Sequence, residues 1–210
     1  MARTIEINHR EIMDAAKASL EGVWNNAALV IFVYVLIIAA VSSLPFASSL
    51  ASLIISGPFG LGIAIFSLKL SNNETTNISD IFEGFKNFVP ALLTYLIMVA
   101  VVTIGLVLFI VPGIILAFGL SQAMFILSEE PEMPAADVLR KSWEMMKGYK
   151  MDYFILSIRF LPWAILCIFT LGIGFLWLLP YIYTTFANFY KKISGDNRFE
   201  EDDILDHLVE

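Results

Sequence analysis

The sequence predicts an all-α polytopic membrane protein: six transmembrane helices forming three like-oriented hairpins, each preceded by a cytoplasmic amphipathic helix. Three observations predict it. First, of 210 residues 58% are hydrophobic and 16% charged, whereas soluble domains carry about 25% charged residues. Second, the charges are absent from long stretches: Val23 to Phe66, Asn87 to Ser128, and between Arg159 and Lys191. A soluble core needs no such runs, but a bilayer with a hydrocarbon layer roughly 30 Å thick does, at about 1.5 Å of helix per residue. Third, short segments with apolar residues at helical spacing stand before each pair of apolar runs.

The apolar runs set the elements in order. The first helix is expected from about Ala27 to Leu44 and the second from Ala47 to Leu70. The third is expected over Val89–Ile110 and the fourth over Pro112–Leu127. The fifth is expected from Asp152 to Thr170 and the sixth from Gly174 to Tyr190. Pro58, Pro162 and Pro180 fall inside these spans, and each withholds a backbone donor, so bends are expected there and at Gly57. Before the pairs, Asn8 with Glu11 opens Ile12, Ala16 and Leu20, and Asn77 with Asp80 opens Ile81, Phe82, Phe85 and Phe88. Pro134, expected at a first helical position, precedes Val138, Leu139, Trp143 and Met146.

Basic residues set the orientation. The connections Ser42–Ser49, Val111–Gly113 and Leu171–Gly174 contain no Lys or Arg. The basic residues other than Arg159 lie on the opposite side, so both chain ends are expected in the cytoplasm. The units Asn8–Leu70, Asn77–Leu127 and Pro134–Tyr190 each hold an even number of spans, as parallel repeats do. Glu11 to Gly22 and Asp137 to Gly148 are both eleven-residue steps. Residues 1–192 are thus expected to form one membrane domain, followed by an acidic tail over 193–210. The first 26 residues sum to about −1 and lack the basic start of a secretory signal, so the first apolar run is expected to stay in the mature chain.

The runs SGPFGLGIAIFSLKLS from Ser56, ISDIFEGFKNF from Ile78, VPGIILAF from Val111, LRKSWEMMKGYKMDYF from Leu139 and FTLGIGFLWLLPYIYTTFANFY from Phe169 resemble one family. It is the integral membrane family catalogued as domain of unknown function 975, and the resemblance runs from about Arg10 to Tyr190. It implies a bacterial cytoplasmic-membrane protein and carries over no activity, cofactor or catalytic residue.

The chemistry available is narrow. A net charge of −7 and a pI near 4.8 argue against nucleic acid. His9 and His207 lie outside the spans without metal-ligand spacing and are expected as solvated surface groups. Cys167 is expected as a small core residue. No cofactor is expected. Arg159 is the exception, seven residues into the expected fifth helix and roughly 10 Å below its cytoplasmic end. Ser121, Gln122, Tyr183, Thr184 and Thr185 fall at similar depth, so a polar layer suited to an anionic headgroup is one reading. Snorkelling of Arg159 and interhelical bonding by the hydroxyls and amide is the other. The functional expectation is a non-catalytic module that meets the bilayer, anionic headgroups, partner proteins or its own copies at the inner leaflet. A small carrier or channel is the alternative, and an enzyme is not expected.

Overall fold

The computed structural model describes residues 7–43 and 48–195. The acidic tail, His207 and most of the Ser42–Ser49 connection lie outside them. The described chain is helical and contains no strand. Its elements are α1 (His9–Leu20), α2 (Trp24–Ser42), α3 (Ser48–Ser71), a 3₁₀ segment η1 (Ile78–Asn87), α4 (Phe88–Leu108), α5 (Ile110–Gly119), α6 (Ala123–Glu129), α7 (Ala135–Met145), α8 (Lys150–Arg159), α9 (Leu161–Phe169) and α10 (Phe175–Ser194).

Local chemistry accounts for the starts. The Asn8 side chain accepts from the backbone N–H groups of Arg10 and Glu11 at 3.2 and 3.4 Å, capping α1. Asp80 accepts from the Asn77 N–H at 2.8 Å and so closes the first turn of η1. That segment was expected as an ordinary amphipathic helix but is wound as 3₁₀ and runs straight into α4. Pro134 caps α7 from outside rather than occupying its first turn. Gly22 and Gly148, at φ +82° and +91°, turn the chain from α1 into α2 and from α7 into α8. Both need the left-handed region that glycine enters without strain.

Among the described residues, five segments are long and apolar enough to cross a membrane: Trp24–Val41, Ala51–Ser71, Ile78–Leu108, Ile110–Glu129 and Lys150–Phe169. Large apolar side chains stand exposed along them, including Leu36, Val89, Ile104, Val107, Trp163 and Phe169. A water-soluble protein rarely exposes so much contiguous apolar surface; this is compatible with a multi-pass membrane protein. α10, expected as the sixth span, is 20 residues long but carries Thr184, Thr185, Asn188 and two lysines, all buried. It is not among the five.

Two expected single helices are divided. The fourth breaks between α5 and α6 at residues 120–122, and the fifth between α8 and α9 at Phe160. Pro162 sits in the first turn of α9, where its missing N–H is harmless. At Pro58 and Pro180 the helices α3 and α10 continue through the proline.

Packing buries some of the apolar segments more deeply than others. Half of the Ala51–Ser71 window and 44% of Ile110–Glu129 are buried, against 22% for Trp24–Val41 and 17% for Lys150–Phe169. The inner helices share a triplet, Ala64-Ile-Phe66, Ala123-Met-Phe125 and Ala187-Asn-Phe189, and all six alanines and phenylalanines are buried. Each phenylalanine seeds its own apolar cluster with the amphipathic element that follows in cyclic order. Phe66 joins Ile81 of η1, Phe125 joins Val138 and Leu139 of α7, and Phe189 joins Ile12 of α1.

The closest approach is between α3 and η1. A Cβ on Gly62 would stand 2.6 Å from the Ile81 carbonyl carbon, and one on Gly84 would stand 2.6 Å from the Gly62 nitrogen. Gly57 similarly admits the α4 backbone, with the Ala91 oxygen 2.8 Å from its notional Cβ. Glycine here lets backbones touch, as small residues do between membrane helices.

Candidate functional site

The residues singled out from the sequence divide into two groups. Arg159 ends α8 and is exposed. Among the described residues its guanidinium has no hydrogen-bond or ion-pair partner. Gln122, Thr184 and Thr185 are buried, and Ser121 and Tyr183 are half-buried. Ser121 lies in the α5–α6 break, donates to the Phe118 carbonyl at 2.8 Å, and accepts from Gln122 at 2.8 Å. The Tyr153 ring of α8 stacks on Phe186 of α10 with centroids 4.6 Å apart, which marks the inward side of α8. At 3.6 residues per turn, Arg159 is turned roughly 120° from Tyr153 about the helix axis. The guanidinium therefore points away from the polar groups that one reading of the sequence placed with it.

Among the inward groups, the Thr185 hydroxyl donates to the Tyr181 carbonyl at 2.7 Å. The Gln122 Oε1, Thr184 Oγ1 and Asn188 Nδ2 atoms are buried without a hydrogen-bond partner. Thr184, Asn188 and Lys191 recur along one side of α10. Ser71 of α3 donates to Asn188 Oδ1 at 2.5 Å, and Lys191 donates to the Ser71 carbonyl at 3.1 Å. Tyr190 donates to Glu129 at 2.6 Å. These bonds tie the ends of α3, α6 and α10 together.

A second set of charges was missed as a site because each pair joins two different helical elements. Lys69 at the end of α3 meets Asp80 and Glu83 of η1 at 2.9 and 3.0 Å. Glu130 just after α6 meets Lys141 of α7. Lys192 near the end of α10 meets Glu11 of α1 at 2.6 Å, with only 4% of the lysine side chain exposed. In each case an inner helix ends on a charge that holds the next amphipathic element, with the sign reversed at the middle pair. Glu11, expected to complete a capping box, reaches Lys192 instead. His9 was expected to be solvated, but only 15% of its side chain is exposed and it lies 3.3 Å from Asp152. It ties α1 to α8. Cys167 is buried.

Residues 96–197 match a family model. The chain carries a DUF975 region. That family is described as a protein of unknown function, and the match runs from within α4 to beyond α10. The quoted runs beginning at Ser56 and Ile78 precede the matched stretch. No curated protein and no solved structure matches the chain.

Proposed function

We propose that the protein is a non-catalytic membrane module that presents a collar of α1, η1 and α7 to lipid or partner proteins at the inner leaflet. The observation that carries this reading is the cyclic exchange of collar elements. α1 packs on the last pair, η1 on the first and α7 on the second, each held by one of the three ion-pair clasps. Charges at that end serve to join units, and amphipathic segments fixed beside inward-facing helix ends lie where an interfacial helix would meet headgroups.

The same exchange supports three like-oriented hairpins, with α10 as a sixth crossing. At 20 residues α10 rises about 30 Å, and its polar side chains are sheltered by neighbouring helices, as intramembrane polar groups require. Both chain ends then lie in the cytoplasm. Cysteine tags test this in the intact chain. Ser43→Cys and Leu171→Cys should react with an impermeant reagent only from outside, and Asn73→Cys and Gly195→Cys only from inside. Labelling of positions 171 and 195 from the same side would remove α10 as a crossing, and inverted labelling throughout would reverse the topology.

A small carrier is the second reading, favoured by the unpartnered atoms of Gln122, Thr184 and Asn188. A polar group buried without a partner is costly, and water commonly satisfies it. If a hydrated path reaches this seam, Thr184→Cys should react with a charged thiol reagent from the cytoplasmic side. A silent thiol in the folded protein would return the seam to the module reading.

A further inference from the structure

Arg159 poses a problem that the membrane reading makes sharper. α8 begins at Lys150, so Arg159 lies about 14 Å along a 20-residue apolar span and close to its middle. Its neighbours Ile155, Ile158, Leu161 and Trp163 are exposed apolar side chains, so the guanidinium emerges on the side that faces lipid tails. A cation there is costly unless it meets an anion or water.

Among the described residues the chain supplies no such anion at that depth. The acidic residues within the five apolar segments are Asp80, Glu83, Glu129 and Asp152. All lie at the collar end: Asp80 and Glu83 pair with Lys69, Glu129 accepts from Tyr190, and Asp152 lies 3.3 Å from His9. A second copy would bring the same acids at the same level, so self-association does not answer Arg159 either. The remaining anion inside a bilayer is the lipid phosphate.

We propose that Arg159 binds the phosphodiester of an inner-leaflet phospholipid on the outer face of α8. This rests on the membrane reading and names the lipid chemistry it engages. Side chains on a helix lean toward its N-terminus, which for α8 is the collar end, so the guanidinium is directed at the inner leaflet. The stem covers part of the depth, and the phosphate settles below its ordinary level to complete it, thinning the leaflet locally. The guanidinium fork matches two phosphate oxygens at once, which an ammonium cannot do.

The test uses the full chain reconstituted in phosphatidylcholine vesicles with two nitroxide-labelled probes of identical tails, phosphatidylglycerol and diacylglycerol. The motionally restricted fraction should favour the phosphate-bearing probe by about threefold to tenfold. Arg159→Gln should bring that ratio close to one, and Arg159→Lys should keep part of it. An equal response to both probes in the unaltered protein would overturn the proposal, as would a preference that survives in Arg159→Gln. Should the glutamine variant not fold, the unaltered ratio and the graded loss in the lysine variant still decide it. Protein that does not float with the vesicles would overturn the membrane reading itself, a result distinct from equal probe binding.

Discussion

Replacing Gly62 by alanine puts a methyl group against backbone that has no way to yield. Its Cβ would stand 2.6 Å from the Ile81 carbonyl carbon and 3.0 Å from the Ile81 Cα, where carbon atoms settle at about 3.5–4.0 Å. η1 must therefore withdraw from α3 by roughly 1 Å, and with it the buried Ile81 side chain and the Asp80 carboxylate that holds Lys69. Overpacking of this kind costs about 1–3 kcal/mol, while alanine returns up to about 1 kcal/mol of helix propensity over glycine. A net loss of about 1–2 kcal/mol is expected. Gly60 provides the control two residues away in the same helix. The nearest atom to its Cβ would be the Met124 Cγ at 3.9 Å, so Gly60→Ala should be neutral or stabilising by about 0.5–1 kcal/mol. Thermal or SDS-induced unfolding followed by circular dichroism in detergent reads both. Equal effects at the two positions would refute the close approach of η1 to α3.

The clasps should separate by burial. A double-mutant cycle on Lys192 and Glu11 is expected to give a coupling of about 1–2 kcal/mol, reduced from the fully buried case because Glu11 is 34% exposed. The same cycle on Lys141 and Glu130, both more than 40% exposed, should give about 0–1 kcal/mol; equal couplings would contradict the burial argument. Asp80→Asn should cost about 1–3 kcal/mol, since one carboxylate both caps η1 and holds Lys69, and raised salt should not rescue it. His9→Ala should loosen α1 from α8, read as faster amide exchange at the start of α1 with little change in α3.

How much was legible follows from the range of each interaction. The apolar spans could be read because a bilayer demands uninterrupted charge-free runs, and the Asn8 and Asn77 caps because capping acts over three residues. The breaks at residues 120–122 and at Phe160 escaped, although Pro162 marked the second. The apolar pattern is continuous across each, and the bend depends on what packs beside it. The Ala-x-Phe triplets were visible but mute, since nothing in one triplet names the amphipathic segment its phenylalanine will meet.

By itself the sequence determined the apolar elements and the presence of one cation deep in an apolar span, because hydropathy and capping are local. The tertiary structure alone decided the direction in which that cation points. A helix fixes the spacing of its side chains but not its own rotation, which is set by contacts such as Tyr153 stacked on Phe186. The same packing turned Arg159 out of the polar layer and brought Lys192 across 181 residues to Glu11.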